Sequence, residues 1–156
     1  GLESVHHRHL DVHQDEIGRR RLEALDGKLP ERVATELAGY QGPVAVMSFN
    51  PHVIAAFHKA APDIAVGLTT CAYEAGEWPM LDAATREHLA SIADFDDVGA
   101  SFISHDRADL ENPAVTALKA RGVPVLTWTI RSTGQEFEAR RIADNITFED
   151  YLANIG

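Results

Sequence analysis

The feature that most constrains the fold is a strand-helix-strand pattern near the carboxyl terminus. Residues 122–145 begin with Gly-Val-Pro-Val-Leu-Thr-Trp-Thr-Ile-Arg, continue with an amphipathic segment and end with Ile-Ala-Asp-Asn. A short, continuous apolar strand is typical of a sheet that is covered on both faces. Trp128 comes at the carboxyl end of this strand, where parallel α/β proteins hold their ligands.

The same alternation of helix and strand begins at residue 30. Apolar spacing, together with Asn, Asp, Pro and Gly at the boundaries, predicts helices and strands in strict alternation. The helices are predicted over 30–40, 51–61, 83–93, 113–121, 134–143 and 149–154, and the strands over 44–47, 64–69, 100–103, 123–129 and 145–148.

Five strands that are separated by helices must run parallel with right-handed crossovers. The predicted fold class is therefore α/β with parallel βα repeats, either a doubly wound sheet or a half or partial (β/α)8 TIM barrel. A complete barrel needs at least about 200 residues, and this chain has 156.

Composition excludes several classes of function. The formal charge of −10 disfavours binding to a nucleic acid backbone, because that needs clustered Lys and Arg. No apolar run approaches the length of a membrane span, and no signal peptide is visible, which favours the cytoplasm. Cys71 is the only cysteine. Its position after an apolar strand favours a small residue at a strand end over a catalytic thiol.

The amino-terminal segment, residues 1–25, does not join the repeating pattern. His7, His9, Asp11 and His13 alternate in the sequence, so on a strand they would share one face. Three imidazoles and one carboxylate can hold a divalent transition metal. The competing interpretation is an exposed lead segment without a site.

Polar residues that follow three of the predicted strands have two interpretations each. Ser48 can bond a phosphate oxygen or cap the turn that follows it. His105 can act as a general base, or be a loop histidine beside the capping residue Asp106. Glu149 and Asp150 can reach a site, or be first-turn acids of the last helix.

The position of Trp128 is also open. Strand alternation places Thr127 and Thr129 on one face and Trp128 on the other. In a barrel, one face points to the interior and the other to the helices. Trp128 can therefore be either a wall of a ligand site or part of the core beneath the helices.

Four stretches carry a resemblance to a known family. They are Gly-Pro-Val-Ala-Val-Met-Ser-Phe-Asn-Pro at 42–51, Ala-Pro-Asp-Ile at 61–64, Ala-Leu-Lys-Ala-Arg-Gly-Val-Pro-Val-Leu-Thr-Trp-Thr-Ile at 117–130 and Arg-Ile-Ala-Asp-Asn-Ile at 141–146. In this order and spacing, residues 26–156 resemble the carboxyl-terminal half of a glycerophosphodiester phosphodiesterase.

The resemblance implies a (β/α)8 barrel that hydrolyses glycerophosphodiesters to an alcohol and glycerol 3-phosphate with a divalent cation, Mg or Ca. The family's metal carboxylates and catalytic histidines come mostly from the first half of the barrel. His7-Arg8 is followed by His9 where the family has Gly, and His9 replaces the glutamate of the next motif. The resemblance therefore assigns no catalytic or metal-binding residue here. It assigns substrate contacts to Ser48, Phe49 and Trp128.

Two classes of function follow from these observations. The first is a phosphodiesterase-like hydrolase, of which this chain alone is expected to have little or no activity. The second is a non-catalytic module that binds a phosphorylated ligand. Because a half barrel has two open sheet edges, we expect two chains to associate through those edges as a homodimer.

Overall fold

A computed structural model of the protein describes residues 28–153. Helices and strands alternate along this range. The helices are α1 (Leu29–Leu37), α2 (Pro51–Ala60), α3 (Ala83–Ala90), α4 (Pro113–Ala120) and α5 (Thr133–Ala139). The strands are β1 (Ala45–Ser48), β2 (Ala65–Thr70), β3 (Phe102–Asp106), β4 (Val125–Ile130) and β5 (Asn145–Phe148). A 3₁₀ turn at Arg107–Asp109 follows β3.

The five strands form one parallel sheet in the order β1-β2-β3-β4-β5. The order in space equals the order in sequence, as it does in a βα barrel, and the sheet curls as half of one. The predicted partial (β/α)8 barrel is therefore confirmed.

One face of the sheet packs against the helices and holds the core. Leu68, Ile103 and Val125 lie in one row across β2, β3 and β4, and each is buried. Ile54 of α2 and Val115 of α4 are fully buried in the same apolar cluster. Burial of this apolar area is the main term that stabilises the fold.

Side chains at the helix starts fix where the crossovers begin. Asn50 accepts from the backbone N–H of His52, and Asn112 accepts from that of Ala114. A proline follows each of these two caps. A backbone N–H at the first position of a helix has no acceptor within the helix, so proline, which lacks this N–H, loses no hydrogen bond there. Asp82 and Ser132 cap α3 and α5 without a following proline, and they accept from the backbone N–H groups of Thr85 and Gln135.

The opposite face of the sheet corresponds to the barrel interior. Met47, Phe102, Leu126 and Trp128 lie on this face and are partly buried. Gly67 lies beside Phe102, and a Cβ at Gly67 would overlap the phenyl ring. The absence of a side chain at this one position lets the ring approach the backbone of β2 closely.

The predicted last helix is wrong over the described residues 149–153. Glu149 continues the strand ladder, since its N–H donates to the carbonyl of Ile130. Asp150 then adopts a φ of +64°, which no α-helix tolerates. The five observed helices are each one to three residues shorter than predicted, and Ile92 at φ +53° lies beyond the end of α3.

No helix within residues 28–153 combines the length and the apolar character that crossing a membrane requires.

Candidate ligand site at the carboxyl end of the sheet

Four aromatic side chains meet at the carboxyl end of the sheet. Phe49 directly follows β1, Tyr73 and Trp78 lie in the loop after β2, and Trp128 lies in β4. The ring centroids of Phe49 and Trp128 are 5.4 Å apart, those of Phe49 and Trp78 5.3 Å, and those of Tyr73 and Trp78 5.0 Å. Tilted and edge-on aromatic pairs at these distances stabilise each other beyond simple burial. We call these four residues the aromatic cluster.

Trp128 faces the barrel interior, which decides between its two predicted positions. Its neighbour Thr127 is fully buried on the helix side, so alternation places the indole on the interior face. The indole N–H donates to the carbonyl of Ser104 at 2.9 Å. The ring is therefore held from β3 as well as by its own strand.

Ser48 lies next to the cluster but caps the turn after β1. Its hydroxyl oxygen accepts from the N–H of Asn50 at 3.1 Å. The capping interpretation of Ser48 is thus confirmed. The hydroxyl proton is not used in that bond, so Ser48 retains a donor.

His105 is a buried strand residue and lies on the helix side of the sheet. Its Nδ1 is 2.8 Å from the hydroxyl of Thr70, and its Nε2 is 3.1 Å from a carboxylate oxygen of Asp109. Asn112 donates to the same carboxylate oxygen at 2.9 Å. Burial lowers the pKa of His105 from its ordinary value of 6.5, although Asp109 and Asp106 act in the opposite sense.

The position of His105 corrects the interpretation of this residue as a loop histidine. It is a strand residue, because β3 extends through Asp106, and alternation turns its buried ring toward the helices rather than toward the barrel interior. Asp106 does cap the next turn, since its carboxylate accepts from the N–H of Ala108 at 3.0 Å.

The other candidates, Cys71 and Glu149, have structural roles. Cys71 is buried at the end of β2, and burial raises the pKa of its thiol to about 11, so the thiol is protonated near neutral pH. The side chain of Glu149 lies 2.5 Å from Arg131 on the neighbouring strand end. It therefore forms an ion pair there rather than a first-turn interaction with a helix.

The described residues do not supply a metal centre. Among residues 28–153, no three side chains of His, Cys, Asp or Glu lie close enough together to hold a metal ion. The metal-binding hypothesis for His7, His9, Asp11 and His13 falls outside the described range.

Sequence reasoning missed two members of the aromatic cluster. Tyr73 and Trp78 were part of a predicted loop and received no role. The available signal was the pair of aromatic residues in a long loop at the carboxyl end of a parallel strand, which is a usual place for ligand contacts.

Five parallel strands with helices on one face define a half-barrel α/β protein. The aromatic cluster lies at the carboxyl ends of these strands, which is where such folds usually hold a ligand. No family model matches the sequence, and no curated protein matches it. Solved structures do share the fold.

One similar structure is an Oleispira antarctica phosphodiesterase in complex with its product sn-glycerol-3-phosphate, at 17% identity and a TM-score of 0.61, with 81% of this chain and 47% of that chain covered. A protein from Silicibacter pomeroyi assigned as a glycerophosphoryl diester phosphodiesterase has 16% identity and a TM-score of 0.62, with 85% and 44% covered. A glycerophosphodiester phosphodiesterase from Parabacteroides distasonis has 14% identity and a TM-score of 0.58, with 86% and 50% covered.

These likenesses confirm the resemblance at the level of the fold. This chain spans about half the length of each of the solved structures. The fold shared with those phosphodiesterases is therefore a part of theirs, and shared fold alone does not transfer their activity.

Proposed function

We propose that this chain is the carboxyl-terminal half of a glycerophosphodiester phosphodiesterase-like barrel, with residues 26–156 as that half and residues 1–25 as a separate lead segment. The observation that carries the proposal is the shared fold with a phosphodiesterase solved with sn-glycerol-3-phosphate. The ligand class is accordingly a glycerophosphodiester or its phosphorylated product.

Three residues are proposed to contact the ligand. Phe49 and Trp128 offer apolar ring surface to the carbon chain of the glycerol moiety at the carboxyl end of the sheet. Ser48 offers the hydroxyl proton that its turn does not use, and a phosphate oxygen is a suitable acceptor.

The reaction class in this proposal is metal-dependent phosphoric diester hydrolysis, which yields an alcohol and glycerol 3-phosphate. The described residues do not fit the Mg or Ca ion that the family resemblance implies, because they contain no group of three suitable donors. The chain alone is proposed to bind ligand while having little or no hydrolytic activity.

Two further proposals belong with this function. A cytoplasmic enzyme of lipid and glycerol metabolism is the cellular setting that the family resemblance suggests. Association of two chains through the open edges is the proposed assembly: β1 and β5 each have one strand neighbour among the described residues, and Phe148 on β5 is exposed. Sizing with light scattering should give a dimer, and a monodisperse monomer would contradict this assembly.

A non-catalytic binding module is the second candidate function. The observation that favours it is the aromatic cluster in a part of the chain whose described residues include no group of three side chains that could hold a metal ion. Under this alternative, a complete active site is never formed, and binding of the phosphorylated ligand is the whole function.

The first experiment is a calorimetric titration of the purified chain with glycerol 3-phosphate. Binding should weaken at least about tenfold in Trp128→Ala, because the ring contact is lost. Phe137→Ala is the matched control, since Phe137 is an exposed aromatic residue of α5 outside the cluster. Equal affinity in all three proteins would argue against the proposed site.

A second assay tests whether the chain alone is active. Glycerophosphocholine is incubated with the chain, with and without chelator. Turnover that chelator abolishes would contradict the expectation that this chain is inactive alone, and would favour the hydrolase. Binding without turnover is the result expected of this chain alone, and it agrees with both candidate functions.

A further inference from the structure

Two sets of hydrogen bonds meet at the backbone of β3: one holds the ring of His105 on the helix side of the sheet, and the other holds side chains of β4, including the indole on the interior side. His105 is fully buried, and both of its ring nitrogens have partners, Thr70 at 2.8 Å and Asp109 at 3.1 Å. Asp109 is held in turn by Asn112 at the start of α4. A ring bonded on both sides has one allowed orientation, so the end of β3 is fixed at this residue.

Two consecutive backbone carbonyls of this segment of β3 accept hydrogen bonds from side chains of β4. The hydroxyl of Thr127 donates to the carbonyl of His105 at 2.7 Å. The indole N–H of Trp128 donates to the carbonyl of Ser104 at 2.9 Å. Thr70, His105 and Thr127 also lie in one row of the strand register, so the three strands are joined at one level.

Ser104 itself offers no alternative anchor for the indole. Its side chain is fully buried, and its hydroxyl oxygen has no hydrogen-bond partner. The polar contact of Trp128 is made with the backbone carbonyl of Ser104, so the indole follows the position of the β3 backbone rather than that of a side chain.

We propose that His105 is a positioning residue for Trp128 that acts from the opposite face of the sheet. The bonds from Thr70 and Asp109 hold the imidazole, the imidazole holds the end of β3, and the carbonyls of β3 hold the strand and the indole of β4. The functional consequence, a preformed ring surface for the ligand, rests on the proposed function. The positioning of Trp128 by His105 does not depend on the proposed function.

The test reads the mobility of Trp128 directly. The chain has two tryptophans, so Trp78→Phe in every protein leaves Trp128 as the sole indole. Acrylamide quenching of its fluorescence reports how well the ring is held. His105→Leu fills a similar space without hydrogen bonds, and the quenching constant should rise about twofold as the ring gains freedom. His105→Gln retains a donor and an acceptor and should restore most of the protection.

The matched control separates positioning from lost stability. Val115→Ala removes volume from the fully buried core of α4 and has no bond to β3 or β4. It should lower the unfolding temperature without changing the quenching constant. Wild-type quenching in His105→Leu, or an equal rise in Val115→Ala, would overturn the proposal.

A second variant and a separate ligand titration complete the test. If His105→Leu does not fold, Thr127→Val removes the bond to the His105 carbonyl with little change in volume, and it must raise quenching for the proposal to stand. Glycerol 3-phosphate titrations of the same proteins test the function separately. Raised quenching without ligand binding in any protein supports the positioning role while the proposed function fails.

Discussion

The ring of Phe49 meets the indole of Trp128 edge-on, with centroids 5.4 Å apart and planes inclined at 86°. Phe49 directly follows β1 and Trp128 lies in β4, so two strands, β2 and β3, lie between them. Three strand spacings in a flat sheet would separate the two backbones by about 14 Å. Curling of the sheet, together with the reach of two large side chains, closes this distance and brings the aromatic cluster together.

Phe49 and Trp128 should be energetically coupled. We expect a double-mutant cycle of Phe49→Leu and Trp128→Leu to give a coupling free energy of about 0.5 to 1.5 kcal/mol, because edge-on rings attract each other beyond their burial. Urea unfolding of the four proteins measures it. Additive effects would mean that the two rings touch without stabilising each other.

Truncation of the core row should cost far more than truncation of a surface residue. Ile103 is fully buried between Leu68 and Val125, so Ile103→Ala should lower the free energy of unfolding by about 2 to 5 kcal/mol. Leu152 is 94% exposed, and Leu152→Ala should change it by no more than about 0.5 kcal/mol. Similar losses in the two variants would contradict the placement of the core.

Stability should fall as pH is lowered, in part because of His105. Burial lowers the pKa of this residue in the folded protein below its ordinary value of 6.5. The unfolded chain therefore binds the proton first, and the folded state loses stability as pH falls from above 6.5 toward the folded pKa, below which the loss levels off. At higher pH this penalty is absent.

The difference between the wild type and His105→Gln isolates that contribution. Urea unfolding at several pH values between about 7.5 and 5 should show the wild type losing stability relative to the variant. Asp109 and Asp106, which oppose the shift, are present in both proteins. Parallel pH profiles would show that His105 does not gain a proton preferentially on unfolding.

Cys71 should be inert in the folded protein. Its thiol is buried, with a pKa raised to about 11, so both access and thiolate content are low. A thiol-specific chromogenic reagent at pH 8 should react about 100-fold more slowly with the folded chain than with the urea-unfolded chain. Fast reaction without urea would indicate that the end of β2 opens readily.

Local sequence signals determined the order of elements. Asn50-Pro51 and Asn112-Pro113 start helices because a side-chain acceptor and a fixed φ both favour that start, whatever surrounds them. Apolar runs such as 44–47 and 123–129 gave strands in the right places, although β3 begins two residues later than predicted and continues through Asp106.

Tertiary contacts alone determined the backbone conformation of the chain after β5. Sequence favoured a helix from Glu149, but the carbonyl of Ile130 and the side chain of Arg131 hold that residue at the end of the sheet. The backbone of Asp150 then turns to a positive φ. A propensity of a few tenths of a kcal/mol per residue does not compete with such contacts.

The sequence by itself determined that this protein is a parallel α/β chain with Trp128 at a strand end, because strand period, helix caps and turn residues act over a few neighbours. The tertiary structure decided which face each residue uses. It turned His105 toward the helices and Trp128 toward the interior, and it brought Trp78 to Phe49 and Tyr73 to Trp78. Those outcomes depend on strand register and sheet curl, which are set by contacts between residues far apart in the chain.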